Sequence, residues 1–303
     1  MGAQFNLAEK LGYSKDVKLL IIHADDGGFM QSVNRATQAL MENGSITSSS
    51  YMMPAPWIYQ SVDYYKTCDK CDMGLHIVLN SEWPVYKWGP SAKSDEVRSL
   101  TDEFGNLWAT RELYIENAKP EEVSNEIEAQ INKSFKLGFK PSHIDTHMGT
   151  IYIKPEVLKE YVRLAKKYQL IPMLPKWSPE LEAYLNSKSY FDPEALKEVL
   201  VMFENQGEIM LDRIVTDARG SSLEERAANY IKIIKSLSPG LTQIIVHLSE
   251  QSEEFDTIIS LRPQEKRRYW DSQILQSKVF KEYISVRKHQ IDKLERYTKG
   301  QIP

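Results

Sequence analysis

The sequence is short of cysteine, of net charge and of long apolar runs. Its 303 residues include two cysteines and carry a net charge of -4. A protein that grips nucleic acid needs a basic surface for the phosphates, so this balance argues against a nucleic-acid partner. No apolar run approaches the ~20 residues that cross a bilayer as a helix, which argues against a membrane-spanning chain. The opening MGAQFNLAEKLGYSKD has no apolar leader core, leaving a cytoplasmic location or export after loss of a leader both open. Cys68 and Cys71 form one CDKC run with no second pair to complete a zinc site, and read as two loop cysteines. Nor does a glycine-rich phosphate fingerprint follow the first strand, so a dinucleotide or nucleoside-triphosphate enzyme has no support.

What is present describes a globular α/β protein. The apolar share of 42% is slightly low and the charged share of 26% ordinary, which together describe a water-soluble domain. Val17–His23 is a continuous apolar run with one charge, the pattern of a parallel strand covered on both faces. Further strands are expected at residues 46–53, 73–79, 142–146, 170–174, 207–215 and 241–248. Helices are expected at 32–43, 120–137, 155–168 and 223–236, and a mainly helical tail at 265–297 leaves room for one short last strand. Strand and helix alternating in this way predict a distorted (β/α) TIM-like barrel in one domain, residues 17–303, behind an extension of residues 1–16. A homodimer remains open.

The six histidines are placed informatively. His23 in IIHADD, His76 in MGLHIVL, His147 in SHIDTHMG and His247 in IIVHLSE all end or punctuate apolar strands. In a parallel barrel the strand C-termini gather around one mouth, where active sites are built. On a strand His143 and His147 share a face but stand roughly 13 Å apart, so only one can bind a given ion. His147 is nearer the mouth, and His143 reads as a core or supporting histidine. Asp25 and Asp26 could be turn formers before a helix. With His76 and His147 on neighbouring strand ends, a site of two histidines and one carboxylate for a divalent ion is the sharper reading. Such donors suit zinc, iron or manganese, and with several waters magnesium. One aspartate would bind the ion while its neighbour stays free as a general base. Gly27 and Gly28 would then turn the backbone away and leave space for substrate. The aromatics of HIVLNSEWPVYKWGP, namely Trp83, Tyr86 and Trp88, with Trp108 further on, lie in a predicted loop and could stack on a sugar ring.

Taken together, HADDGG, GLHIVL and HIDTH resemble the motifs of the YdjC-like carbohydrate deacetylases, which carry an ADDFG-like strand end, a G-[LM]-H and an H-[IL]-D-[ST]-H. The likeness runs from about Lys18 through VHLSE toward the Arg267–Tyr283 region. It implies a metal-dependent distorted barrel that removes acetyl groups from N-acetylated sugars, with one divalent ion, Zn2+ or Mg2+. By position it implies Asp26, His76 and His147 as metal ligands, Asp25 as general base and His247 as general acid. Two departures bear on pocket shape and hence on substrate: Gly27-Gly28-Phe29 replaces the family's Phe-Gly, and HMGTIY replaces an HQHVH-like continuation. Two rivals are kept. One is another barrel metal hydrolase such as a phosphoesterase, the other a sugar-binding protein without catalysis.

Overall fold

The computed structural model describes residues 6–285. In chain order the elements are α1 Leu7–Lys10, β1 Lys18–Gly27, α2 Gln31–Glu42, β2 Ser48–Tyr51, α3 Ile58–Thr67 and β3 Met73–Ile77. There follow α4 Arg111–Asn117, α5 Pro120–Lys136, β4 His143–Thr146, α6 Pro155–Lys167, β5 Ile171–Pro172, α7 Pro179–Asn186 and α8 Pro193–Asn205. The last are β6 Arg213–Val215, α9 Leu223–Lys235, β7 Gly240–His247, α10 Glu253–Ile259, α11 Arg267–Gln276 and α12 Lys278–Ser285.

All strand pairs are parallel, in one seven-stranded sheet of order β5-β4-β3-β2-β1-β7-β6. The sheet curls until its two edges meet at one bridge, Pro175 beside Leu211. There Lys176 N–H donates to Leu211 O (2.9 Å) and Leu211 N–H to Leu174 O (2.8 Å). The expected distorted barrel is thus observed. Several strands are shorter than the stretches expected, because only part of each finds a partner: the stretch expected at 207–215 pairs only over Arg213–Val215.

The helices follow from local chemistry. α5 has Pro120 at its first turn with Glu121 and Glu122, and buries Val123, Ile127 and Ile131 against the sheet. Helices α3, α4, α7, α8 and α10 occupy stretches that hydrophobic period alone left unassigned. Two of them carry an N-terminal signature in SPE and DPE: Ser178 and Asp192 cap α7 and α8, and proline follows each. No strand follows His247 among the described residues, and the tail beyond residue 285 lies outside them.

One expectation needs correction. Cys68 and Cys71 are joined by a disulfide rather than standing as separate loop cysteines. The chain leaves α3 at Cys68 in an extended conformation, which sets the two Cα atoms 5.7 Å apart, within bridging range. The described part of the segment before residue 17 packs on the barrel. Leu7, Ala8 and Leu11 are buried with Leu19, Leu211 and Leu241 at the end of the barrel opposite the mouth.

Asp212 ties this end together. Its Oδ2 accepts from the N–H groups of Leu7 (2.9 Å) and Leu241 (2.8 Å), and its Oδ1 from Lys176 Nζ (2.6 Å). Asp212→Ala removes the acceptor of the Leu7 and Leu241 N–H groups and is expected to cost about 1–3 kcal/mol. Urea unfolding measures this, and an unchanged midpoint would remove Asp212 from the closure of the barrel.

Candidate active site

Successive residues of a strand point to opposite faces, so Asp25 and Asp26 should diverge. They do not. The register of β1 against β2 slips between Ala24 and Gly27, and Asp26 takes a left-handed backbone with φ 66°. Aspartate tolerates this region better than most residues, at a cost of order 1–3 kcal/mol. Both carboxylates then reach His76: Asp26 Oδ1 lies 3.3 Å and Asp25 Oδ2 3.9 Å from its Nε2. Gly27 serves a different end from the one expected. A Cβ there would overlap the Tyr51 ring, so the space is filled by protein and not left for substrate.

Cross-strand partners bring the remaining groups in. Asp145 stands beside His76 on β4 and β3, and His247 beside Asp25 on β7 and β1. Asp26, His76 and His147 offer ligand atoms all within 4.8 Å of one another. His147 Nδ1 is 3.0 Å from Asp26 Oδ1, and its Nε2 is 3.0 Å from Glu82 Oε2. His76 Nδ1 is held by Asp145 Oδ1 at 2.7 Å, while its Nε2 is buried with no hydrogen-bond partner. An orphaned imidazole nitrogen aimed at a carboxylate and a second imidazole is what a cation would satisfy. The carboxylates of Asp145 and Glu82 behind the two rings orient them as metal ligands are usually oriented. His23–His143–Asp145 and Asp25–His76–Asp145 are equally tight groupings. In the first, His23 is already bonded to Ser48 (2.9 Å) and to Asp145 (2.7 Å), and the second shares His76 with the Asp26 cluster.

His143 is not in the triad. It is half-buried on the far side of His23, its Nδ1 2.8 Å from Ser142 Oγ, as a supporting histidine. His247 sits at the rim of the cluster, its Nε2 3.9 Å from Asp26 Oδ2. The aromatics depart from expectation. Trp83 and Trp88 are 1% and 4% exposed, packed on Phe29, and offer no free face to a sugar. Tyr86 is half-buried, and its hydroxyl donates to Glu254 at 3.2 Å. Trp108 is likewise half-buried, its indole N–H donating to Ser99 O.

With this geometry in view, comparison with known proteins is direct. The profile of the YdjC-like protein family matches residues 19–286. The chain belongs to that family. It is 31% identical over 252 residues to a carbohydrate deacetylase of Thermus thermophilus, covering 80% of this chain and 81% of that one. A carbohydrate deacetylase of Thermoanaerobacter pseudethanolicus is 26% identical over 263 residues, covering 86% and 94%. The fold is shared with a crystal structure of an Enterococcus faecalis protein associated with cellobiose-phosphate cleavage. The TM-score is 0.71 at 24% identity, covering 90% of this chain and 95% of the other.

In this YdjC-like protein several site residues escape a reading by motif. Asp145 was legible in principle, because alternation puts it on the same face as His143 and His147. Glu82 lies unmarked within SEWP. Arg268 comes from α11 near the end of the chain, and its Nη2 donates to Asp26 Oδ2 at 2.7 Å while Nε donates to Glu265 at 2.9 Å. Nothing local to Arg268 announces this.

The electrostatics are those of a crowded, buried site. Burial alone would raise the Asp26 pKa, yet Arg268 and His147 hold its carboxyl well below the usual range. Burial also opposes a charge on His147, but Glu82 and Asp26 carry its pKa from 6.5 up to about 9. His76 is raised as well, by Asp145 and Asp25 against burial. His247 goes the other way: burial, with Arg268 and Arg267 nearby, pushes it down to about 4 despite Asp26.

A raised His147 pKa links stability and metal affinity to pH. Its stabilising ion pairs are fully present below about pH 6.5 and are lost as pH rises through about 9. A cation needs the same imidazole neutral, so its affinity moves oppositely. Zn2+ affinity, measured by chelator competition, is expected to rise between pH 6.5 and 9 while the metal-free protein loses stability to urea. An affinity flat over that range would separate His147 from the ion.

Proposed function

We propose that this chain is a metal-dependent carbohydrate N-deacetylase, cleaving the acetamide of an N-acetylated sugar. The observation that carries this is the buried Asp26–His76–His147 cluster with a further carboxylate, Asp25, beside it. Membership of the YdjC-like family and the names of its relatives support the carbohydrate substrate.

Asp26, His76 and His147 would hold one divalent ion, and a two-histidine, one-carboxylate set suits Zn2+ or, with more water ligands, Mg2+. When bound, such an ion lowers the pKa of water and polarises a carbonyl. Asp25 is the base. Its Oδ1 is buried without a hydrogen-bond partner, 3.2 Å from a His23 nitrogen that is already engaged by Asp145 at 2.7 Å. A carboxylate so placed is free to take a proton from water. His23 keeps it from turning away.

The acid role of His247 acquires an order. Held down at about 4, this imidazole is neutral at neutral pH and has no spare proton at the start. The proton that Asp25 removes from water is the one available for the leaving nitrogen, and His247, its partner across β1 and β7, can donate only after receiving it. Proton delivery must therefore follow attack. An amine is a poor leaving group until it is protonated, so the delay matters to the rate.

Acetate release from a panel of N-acetylated mono- and oligosaccharides, after chelation and with metals returned singly, tests the reading. Asp26→Ala and His147→Ala are expected to lose both metal and turnover. Asp25→Asn is expected to keep the metal and lose about 10²–10⁴ in rate. Full activity in Asp25→Asn would overturn the base assignment. No acetate from any substrate with any metal would turn the reading toward a sugar-binding protein, and release of phosphate from phosphoesters toward a phosphoesterase.

A further inference from the structure

With Trp83 and Trp88 buried, the sugar must be met by other side chains. The turn that follows His147 points to them. Met148 and Gly149 both have left-handed backbones, φ 55° and 69°, which double the chain back directly after a candidate metal ligand. Arg111, at the start of α4, clamps this turn: its Nε and Nη2 donate to the Met148 carbonyl at 2.9 and 2.7 Å. The same guanidinium lies over the ring of Tyr190, 4.7 Å from its centroid. Phe191 comes next, its ring 4.7 Å from that of Tyr190 and tilted by 57°. Its Cζ would lie 3.8 Å from a Cβ on Gly149, so it stands against the turn itself.

Topology explains the placement. Tyr190 and Phe191 precede α8, in the connection that leaves β5 at the mouth end and returns through α8 toward the start of β6. Residues just before such a helix belong to the rim of the barrel mouth. Both rings are half-buried, neither sealed like Trp83 nor fully exposed.

We propose that Phe191, Tyr190 and Arg111 form the subsite for the sugar unit adjoining the one that bears the acetamide. The C–H-bearing face of a pyranose carries a small positive polarisation and suits the negative face of an aromatic ring. Phe191 supplies that ring. Polar groups at its edge then fix the orientation, as in most small-molecule sites. The Tyr190 hydroxyl and Arg111 Nη1 are the groups in position, and neither is engaged in a hydrogen bond among the described residues. Arg111 also holds the turn after His147, which fixes this subsite beside the candidate metal ligand. The chain would thus favour a substrate of at least two rings.

This inference rests on the deacetylase reading, and its test keeps the two apart. Acetate release is measured on N-acetylglucosamine and on its β-1,4-linked dimer with the wild type, Phe191→Ala and Phe191→Trp, each checked for an unchanged melting temperature. Phe191→Ala is expected to raise KM for the dimer about five- to tenfold with kcat unchanged, to leave the monosaccharide unaffected, and to be rescued by Phe191→Trp. Equal losses on both substrates, a fall in kcat alone or no change would overturn the subsite. If the wild type releases no acetate, the deacetylase reading fails by itself, and calorimetric binding of the dimer decides the subsite. Weaker binding by Phe191→Ala than by wild type upholds it, and equal binding or none by either protein overturns it.

Discussion

The mouth of this barrel depends on one backbone irregularity, the left-handed turn at Asp26 that breaks the alternation of β1. A regular strand would bury one aspartate and send its neighbour to the other face of the sheet. Turning both inward crowds Asp25, Asp26, Asp145 and Glu82 into one volume from which water is largely excluded. Buried carboxylates at that density cannot persist unless positive charge is supplied from inside the protein. Three imidazoles and one guanidinium supply it: His23 and His76 share Asp145, while His147 and Arg268 share Asp26. The raised His147 pKa and the reach of Arg268 from the far end of the chain are two consequences of the same crowding.

The long connection between β3 and α4 acts on the site indirectly. Glu126 on α5 accepts from the N–H groups of Ser91 and Ala92, both at 2.8 Å, and from Gln130, which in turn brackets Val78. Burial pushes Glu126 up to about 7 against these bonds and the nearby Lys133. Pinned in this way, the connection folds Trp83 and Trp88 onto Phe29. Trp83 then presents its ring to Arg262 and Arg268, 4.7 and 5.7 Å from its centroid. The indoles are a wall beneath the charged groups, and what they contribute is the position of a guanidinium.

Much of the fold and part of the site could be read from the chain. Continuous apolar runs mark parallel strands, because such strands are covered on both faces. Proline and acidic first turns mark α5 and α6. The triad was legible because its members sit at strand ends, where local pattern and global position coincide. The aromatic loop misled for the opposite reason. Tryptophans among proline, glycine and polar residues look exposed, and only packing against Phe29 and the anchoring by Glu126 bury them. The cysteine pair misled similarly, since three residues of separation say nothing of the turn that brings the sulfurs together.

By itself, then, the sequence determined the alternating architecture and the residues able to bind a cation, since both are properties of short segments. Hydrophobic period and donor chemistry need no distant partner to be recognised. Tertiary structure alone decided that two adjacent aspartates face the same way and that Arg268 neutralises one of them. It also decided that Trp83 is buried while Phe191 stands half-buried against the turn after His147. Each of these depends on where separate strands and helices meet, and burial and Coulomb energy are set only by that meeting.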